Sequence, residues 1–196
     1  ICVDFTNEYK SRFSEDKYVN IIRSDTQEIL FTAIDKLSEE LAKFPNQQNR
    51  EVINAQKEIL MDKFKESIDG FIQSKKNISI FELPDVENTT NILEYTKYFF
   101  KALFILARLR SFKNNKICVV LEEAHTVIPE WNFIGVEDRK AQSLVNAIGQ
   151  IALQGRKYNI GFIVIAQRTA NVSKTILTQC NSIIAFQQFD KTSREF

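Results

Sequence analysis

The chain has 196 residues, 44% of them hydrophobic and 26% charged, which is enough to bury one core and ordinary for a soluble globular protein. Its formal net charge of +1 excludes a global electrostatic attraction to nucleic acid, membranes or acidic substrates, so any basic surface must be local. No apolar run approaches the ~20 residues needed to cross a bilayer, and no signal peptide opens the chain.

Residues 1–5 read as a short strand whose end carries Asp4, Glu8 and Tyr9. Asp4 can either cap a turn there or support a ligand nearby. Residues 24–44 repeat apolar positions at helical spacing (Ile29, Ala33, Ile34, Leu37, Leu41, Phe44), with Ser24 or Asp25 as N-cap and Pro45 as the break. A second helix over residues 51–73 carries Ile53, Leu60, Phe64, Ile68 and Ile72 and would be on the order of 34 Å long. Two long helices joined by a short polar link form an antiparallel hairpin. It interrupts an α/β pattern, so residues 24–76 are expected to be a helical insertion, serving as a brace or a subunit contact or, alternatively, as a DNA or partner surface.

Residues 78–83 are the next strand. The helix after it, reaching about residue 112, is apolar on most sides and therefore buried. Its basic end, Arg108, Arg110, Lys113 and Lys116, suits a helix C-terminus. Residues 117–121 and 160–166 are short runs rich in Val and Ile with no polar alternation, as expected of parallel strands covered on both faces. Between them, residues 138–156 place Ala141, Leu144, Val145, Ile148, Ile151 and Ala152 on one helical face. A short helix over residues 174–180 and a last strand over residues 183–187 complete the pattern. Cys2, Cys118 and Cys180 lie in or beside these elements without metal-ligand spacing and read as reduced core residues.

The chemistry is concentrated where the strand 117–121 ends. Ligands of open α/β sheets bind at the carboxyl ends of strands, and Glu122, Glu123 and His125 are the first polar residues there. Adjacent carboxylates leaving a dry strand repel each other unless a cation or donors compensate, and a hydrated Mg²⁺ is one natural answer. Trp131, Phe133 and Gly135 mark residues 131–138 as a candidate pore loop, aromatic wedge or lid.

The apolar strand followed by EEAH, with GRKYNIGFIVIAQR one crossover later, resembles the Walker B and sensor region of the HerA branch of the HerA/FtsK P-loop ATPases. The opening ICVDFTNEY is similar to the strand after the P-loop in that family, with Thr6 and Asn7 where a glycine is expected. The EEAH spelling also resembles DEAH helicases, whose other motifs the flanking GRK and AQR do not follow. The resemblance implies a RecA-like P-loop NTPase core, α/β with a mainly parallel sheet, made of residues 1–23 and 77–196 around the inserted hairpin. No GxxxxGK[ST] occurs, so the phosphate-cradling loop is expected upstream of Ile1, and this piece alone is expected to bind ATP poorly.

By resemblance, ATP and Mg²⁺ are the cofactors. Glu122 holds the water shell of Mg²⁺, Glu123 polarises the attacking water, and Gln167 senses the γ-phosphate. General-base assistance of this kind is worth roughly 10²–10⁴-fold. Arg156 is a phosphate-sensing arginine acting within or across subunits, Arg168 a weaker candidate for the same role, and His125 orients the glutamate loop. The implied activity is that of a cytoplasmic, ring-forming and hexameric DNA translocase or helicase. It would drive double-stranded DNA by ATP hydrolysis together with a nuclease or another effector, in end processing or antiviral defence. A type IV secretion or conjugation ATPase and a degraded scaffold for a partner enzyme are the alternatives.

Overall fold

A computed structural model of the chain describes residues 1–4, 7–83, 89–109, 115–130, 139–167 and 171–186. In chain order it holds β1 (Cys2–Asp4), α1 (Tyr9–Phe13), β2 (Val19–Ile21), α2 (Ser24–Ala42), α3 (Arg50–Gln73), β3 (Ile78–Glu82) and α4 (Thr89–Arg108). Then follow β4 (Ile117–Leu121), α5 (Ala124–Val127), α6 (Arg139–Gln154), a 3-10 turn (Gly155–Tyr158), β5 (Ile160–Val164) and α7 (Lys174–Leu177). The five strands form one sheet in the order β2-β3-β1-β4-β5, and every pairing is parallel. This is an α/β fold compatible with a RecA-like core.

Parallel neighbours cannot be joined by a tight hairpin, so each connection must leave the sheet and return. The pair α2 and α3 makes that excursion between the adjacent strands β2 and β3, and α6 makes it between β4 and β5. β1 lies in the middle, its Cys2 opposite both Ile80 and Val120. Val3 and Asp4 are consequently buried, although the strand is only three residues long.

α4 is the packing centre, as its apolar sequence requires. Its Leu93, Tyr95, Phe99, Phe100 and Leu103 are fully buried. Phe64 of α3 meets Tyr95 edge-on with ring centroids 4.8 Å apart, and Phe81 of β3 meets Phe99 at 5.0 Å. Such edge-to-face contacts add about 0.5–1.5 kcal/mol each to the burial itself. The helical pair therefore shares one continuous core with the sheet. Asn49 caps α3 through the backbone N–H groups of Glu51 and Val52, whereas α2 begins at Ser24 after Arg23 and has no side-chain cap.

Four features depart from the sequence reading. β2 was not expected, and it makes the hairpin a strand-to-strand connection. Of the expected strand 183–187, residue 187 lies outside the described residues; residues 183–186 form no strand, and Ile183, Ile184 and Phe186 are exposed, because no strand among the described residues offers them a ladder. One face of the sheet is open at Cys118, Gly161, Ile163 and Ile165, so β4 and β5 are not covered on both sides. Cys118 and Cys180 are accordingly exposed and Cys2 half-buried, all three free, where core positions were expected. Among the described residues no helix is long and apolar enough to cross a membrane.

Candidate functional site

The acidic pair sits in a backbone reversal stitched to the sheet. The N–H of Ile165 donates to the carbonyl of Leu121 at 2.9 Å, and the N–H of Ala124 donates back to the carbonyl of Ile165 at 2.9 Å. Glu122 lies between these bonds, its own N–H reaching the carbonyl of Val3 on β1 at 3.4 Å. To make the reversal, Glu123 takes φ 45° and ψ 50°, the left-handed conformation that L residues adopt only when their surroundings enforce it. The enforcement is visible: Ala124 and Val127 of the following short helix, and Ile128 just after it, are fully buried and hold the turn down. The side chain of Glu123 is 13% exposed, with Oε2 at 3.2 Å from Nδ1 of His125.

A second group of polar residues closes the ends of β1 and β3. Asp4 is fully buried and accepts from the N–H groups of Asn7 at 3.1 Å and Tyr9 at 2.9 Å, so it caps the turn that leaves β1. Asn7 has φ 55°, the left-handed conformation for which a glycine is the usual choice. Its amide also bridges to Leu83 just past β3, donating to the carbonyl at 3.1 Å and accepting from the N–H at 3.2 Å. Lys10 pairs with Glu82 at 3.3 Å and Gln27 donates to the carbonyl of Glu82 at 2.9 Å.

The negative charge of these strand ends is felt by their neighbours. Burial first, then the nearby Asp4 and Glu122, push the Cys2 thiol up to about 11. Desolvation, followed by the fields of Glu122, Cys2 and Asp4 and partly offset by Arg12, raises the Tyr9 phenol above its ordinary value. Asp4, Tyr9 and Glu122 thus share one electrostatic environment although 118 positions separate the two acids in sequence.

Gln167 follows β5 at the same edge of the sheet and is exposed. The chain around it is tied on both sides to the acidic segment. Ile165 is bonded to Leu121 and Ala124, while Asn171 accepts from the N–H of Glu130 at 2.8 Å. Pro129 pairs with Val172, and the Glu130 carboxylate accepts from the N–H of Lys174 at 2.6 Å, fixing the start of α7. Sequence reasoning missed Glu130, and marked Asn7 only as standing, with Thr6, where a glycine is expected. Glu130 stands 44 positions from its partner and gives no local signal, whereas an Asn at a glycine position is itself a sign of left-handed backbone.

Arg156 is not brought to this edge. It lies in the 3-10 turn before β5, at the amino end, where it lines a shallow cleft of about 330 Å³ with Lys116, Cys118 and Asn159. The whole of β5, roughly 17 Å of extended chain at ~3.3 Å per residue, separates it from Gln167 and from Glu123 of the same chain. The sequence left open whether it acts within or across subunits, and within this chain it stands at the opposite end of β5 from Gln167. Arg168 and the loop 131–138 lie outside the described residues.

Among the described residues no three or more His, Cys, Asp or Glu side chains gather into a metal cage. Mg²⁺ does not require such a cage, since it keeps several waters and takes one or two carboxylates plus substrate phosphates. Glu122 is a half-buried carboxylate at the end of β4.

No protein-family model matches the chain. In sequence it is 30% identical over 80 residues to the DNA double-strand break repair helicase HerA of Pyrococcus furiosus, a match covering 41% of this chain. The same match covers 13% of the helicase, so the chain spans far less than two thirds of that relative. Together with the all-parallel sheet, this partial likeness points to a relationship with the P-loop ATPases.

Proposed function

We propose that the protein is an ATP-driven DNA translocase of the HerA type, working as a ring, hexameric in this reading, with a nuclease or other defence effector. The observation that carries the proposal is the left-handed turn at Glu123, which fixes two acids at the end of β4 beside the segment that leads to Gln167. The partial likeness to a DNA repair helicase supports the same reading.

In it, Glu122 orients the water shell of Mg²⁺, and the ion, when bound with ATP, neutralises charge on the β- and γ-phosphates. Glu123 takes a proton from the attacking water. Gln167 hydrogen-bonds that water or the γ-phosphate and passes the presence of phosphate to the segment ending at Asn171. Arg156, remote from its own Glu123, serves the site of the neighbouring subunit, where an arginine finger is worth roughly 10³–10⁵ in rate. Arg168 is a second candidate for this work. Residues 1–23 and 77–196 make the ATPase core, and residues 24–76 are an insertion that braces it.

The test is ATP turnover by the complete protein with and without linear duplex DNA. A motor is expected to be stimulated by the duplex. Turnover indifferent to DNA would contradict translocation while leaving ATP hydrolysis itself in place.

A further inference from the structure

His125 is the chain's sole histidine, and its ring is turned toward the proposed base. Nδ1 lies 3.2 Å from Oε2 of Glu123. Both atoms are shielded from solvent, and neither makes a hydrogen bond among the described residues, so that only a small turn of the ring would be needed to join them. Two bare acceptors in a buried place repel each other, whereas one hydrogen between them makes a charge-assisted bond. The imidazole is the group able to supply it, with Nδ1 carrying hydrogen.

Anchoring is one-sided. Oε2 is enclosed against the ring, while the carboxylate as a whole keeps 13% exposure, so Oε1 is the oxygen that solvent reaches. The backbone cannot relax the arrangement, because Glu123 is locked in the left-handed region and His125 sits on the short helix that Ala124 and Val127 pin to the core. We propose that His125 is a positioning residue: its Nδ1–H holds Oε2 of Glu123 so that Oε1 alone faces the attacking water. The contact stands on geometry, and its consequence for turnover rests on the ATPase reading above.

The test compares His125→Asn, His125→Gln and His125→Ala in the complete protein. An asparagine amide nitrogen falls close to the place of Nδ1, whereas a glutamine amide reaches toward that of Nε2. The Asn variant is expected to keep most of kcat. The Ala and Gln variants are expected to lose on the order of 10²-fold, the usual consequence of a reacting group misplaced by about 1 Å, with KM and ATP binding little changed. Folded Ala variant with full kcat, or an Asn variant as impaired as Ala, would overturn the proposal. A readout independent of turnover is the nitrogen spectrum of histidine-labelled protein. It should show Nδ1 bearing hydrogen, with a signal that shifts in Glu123→Gln; a ring with hydrogen on Nε2 alone would overturn the assignment. If Glu123→Gln is inactive and His125→Ala is not, only the positioning role falls. If Glu123→Gln hydrolyses ATP normally, the base assignment falls and takes the positioning role with it.

Discussion

Replacing Asn7 separates two effects that the structure superimposes. Its amide makes two hydrogen bonds to the backbone of Leu83, and its φ of 55° is one that alanine adopts only under strain. At about 0.5–1.5 kcal/mol for each bond, losing the pair costs ~1–3 kcal/mol. The lower half of that range applies, because the N–H of Leu83 keeps a second acceptor in the carbonyl of Asp4 at 3.2 Å. A left-handed alanine adds about 1–2 kcal/mol, whereas a glycine adds nothing of the kind. Asn7→Ala is therefore expected to destabilise by about 2–4 kcal/mol and Asn7→Gly by about 1–2 kcal/mol, read as midpoints of urea unfolding at constant slope. Equal losses in the two variants would refute the argument, since the backbone contribution would then be absent.

Tyr95 is fully buried and its hydroxyl has no hydrogen-bond partner among the described residues, so Tyr95→Phe should leave stability unchanged or raise it by about 1 kcal/mol; a clear loss in thermal unfolding would contradict this. A Cβ on Gly155 would stand 2.6 Å from the Phe162 ring and 2.9 Å from the carbonyl of Ile160, so Gly155→Ala is expected to cost about 1–3 kcal/mol in the same assay. Cys2, with its thiol pushed up to about 11, should resist iodoacetamide near pH 8 while the exposed Cys118 and Cys180 are alkylated, as peptide mapping would show. Because the folded thiol ionises later than a free one of about 9, the same group should lower stability as pH climbs from 9 to 11 and have no effect below that window.

Strands and helices with long, unambiguous patterns were legible from sequence. The Val- and Ile-rich runs of β4 and β5, the helical spacing of α2 and α3 and the all-round apolar α4 each follow from periodicity acting over five residues or more. β2 was invisible because three residues, Val19, Asn20 and Ile21, carry no period, and its existence depends on the Ile78–Ile80 edge it pairs with. Conversely, Ile183, Ile184 and Phe186 carry strand-forming side chains without an edge to join. At the site, Glu122, Glu123 and Gln167 could be placed at one end of the sheet from strand direction alone. Arg156, at the end of the crossover helix and before β5, was equally legible as lying at the opposite end, but which subunit's site it serves has no sequence signature. The left-handed backbone at Glu123 and the His125 contact arise from tertiary anchoring by Ala124 and Ile165 and have no sequence signature.

The central claim is that an acid at the end of β4 drives hydrolysis of ATP, and Glu123→Gln tests it most directly. The substitution keeps size and shape while removing the basic oxygen. In the complete protein it should leave ATP binding intact and reduce turnover by roughly 10²–10⁴-fold, the worth of a general base. Hydrolysis at the unaltered rate, with binding also unaltered, would contradict the account.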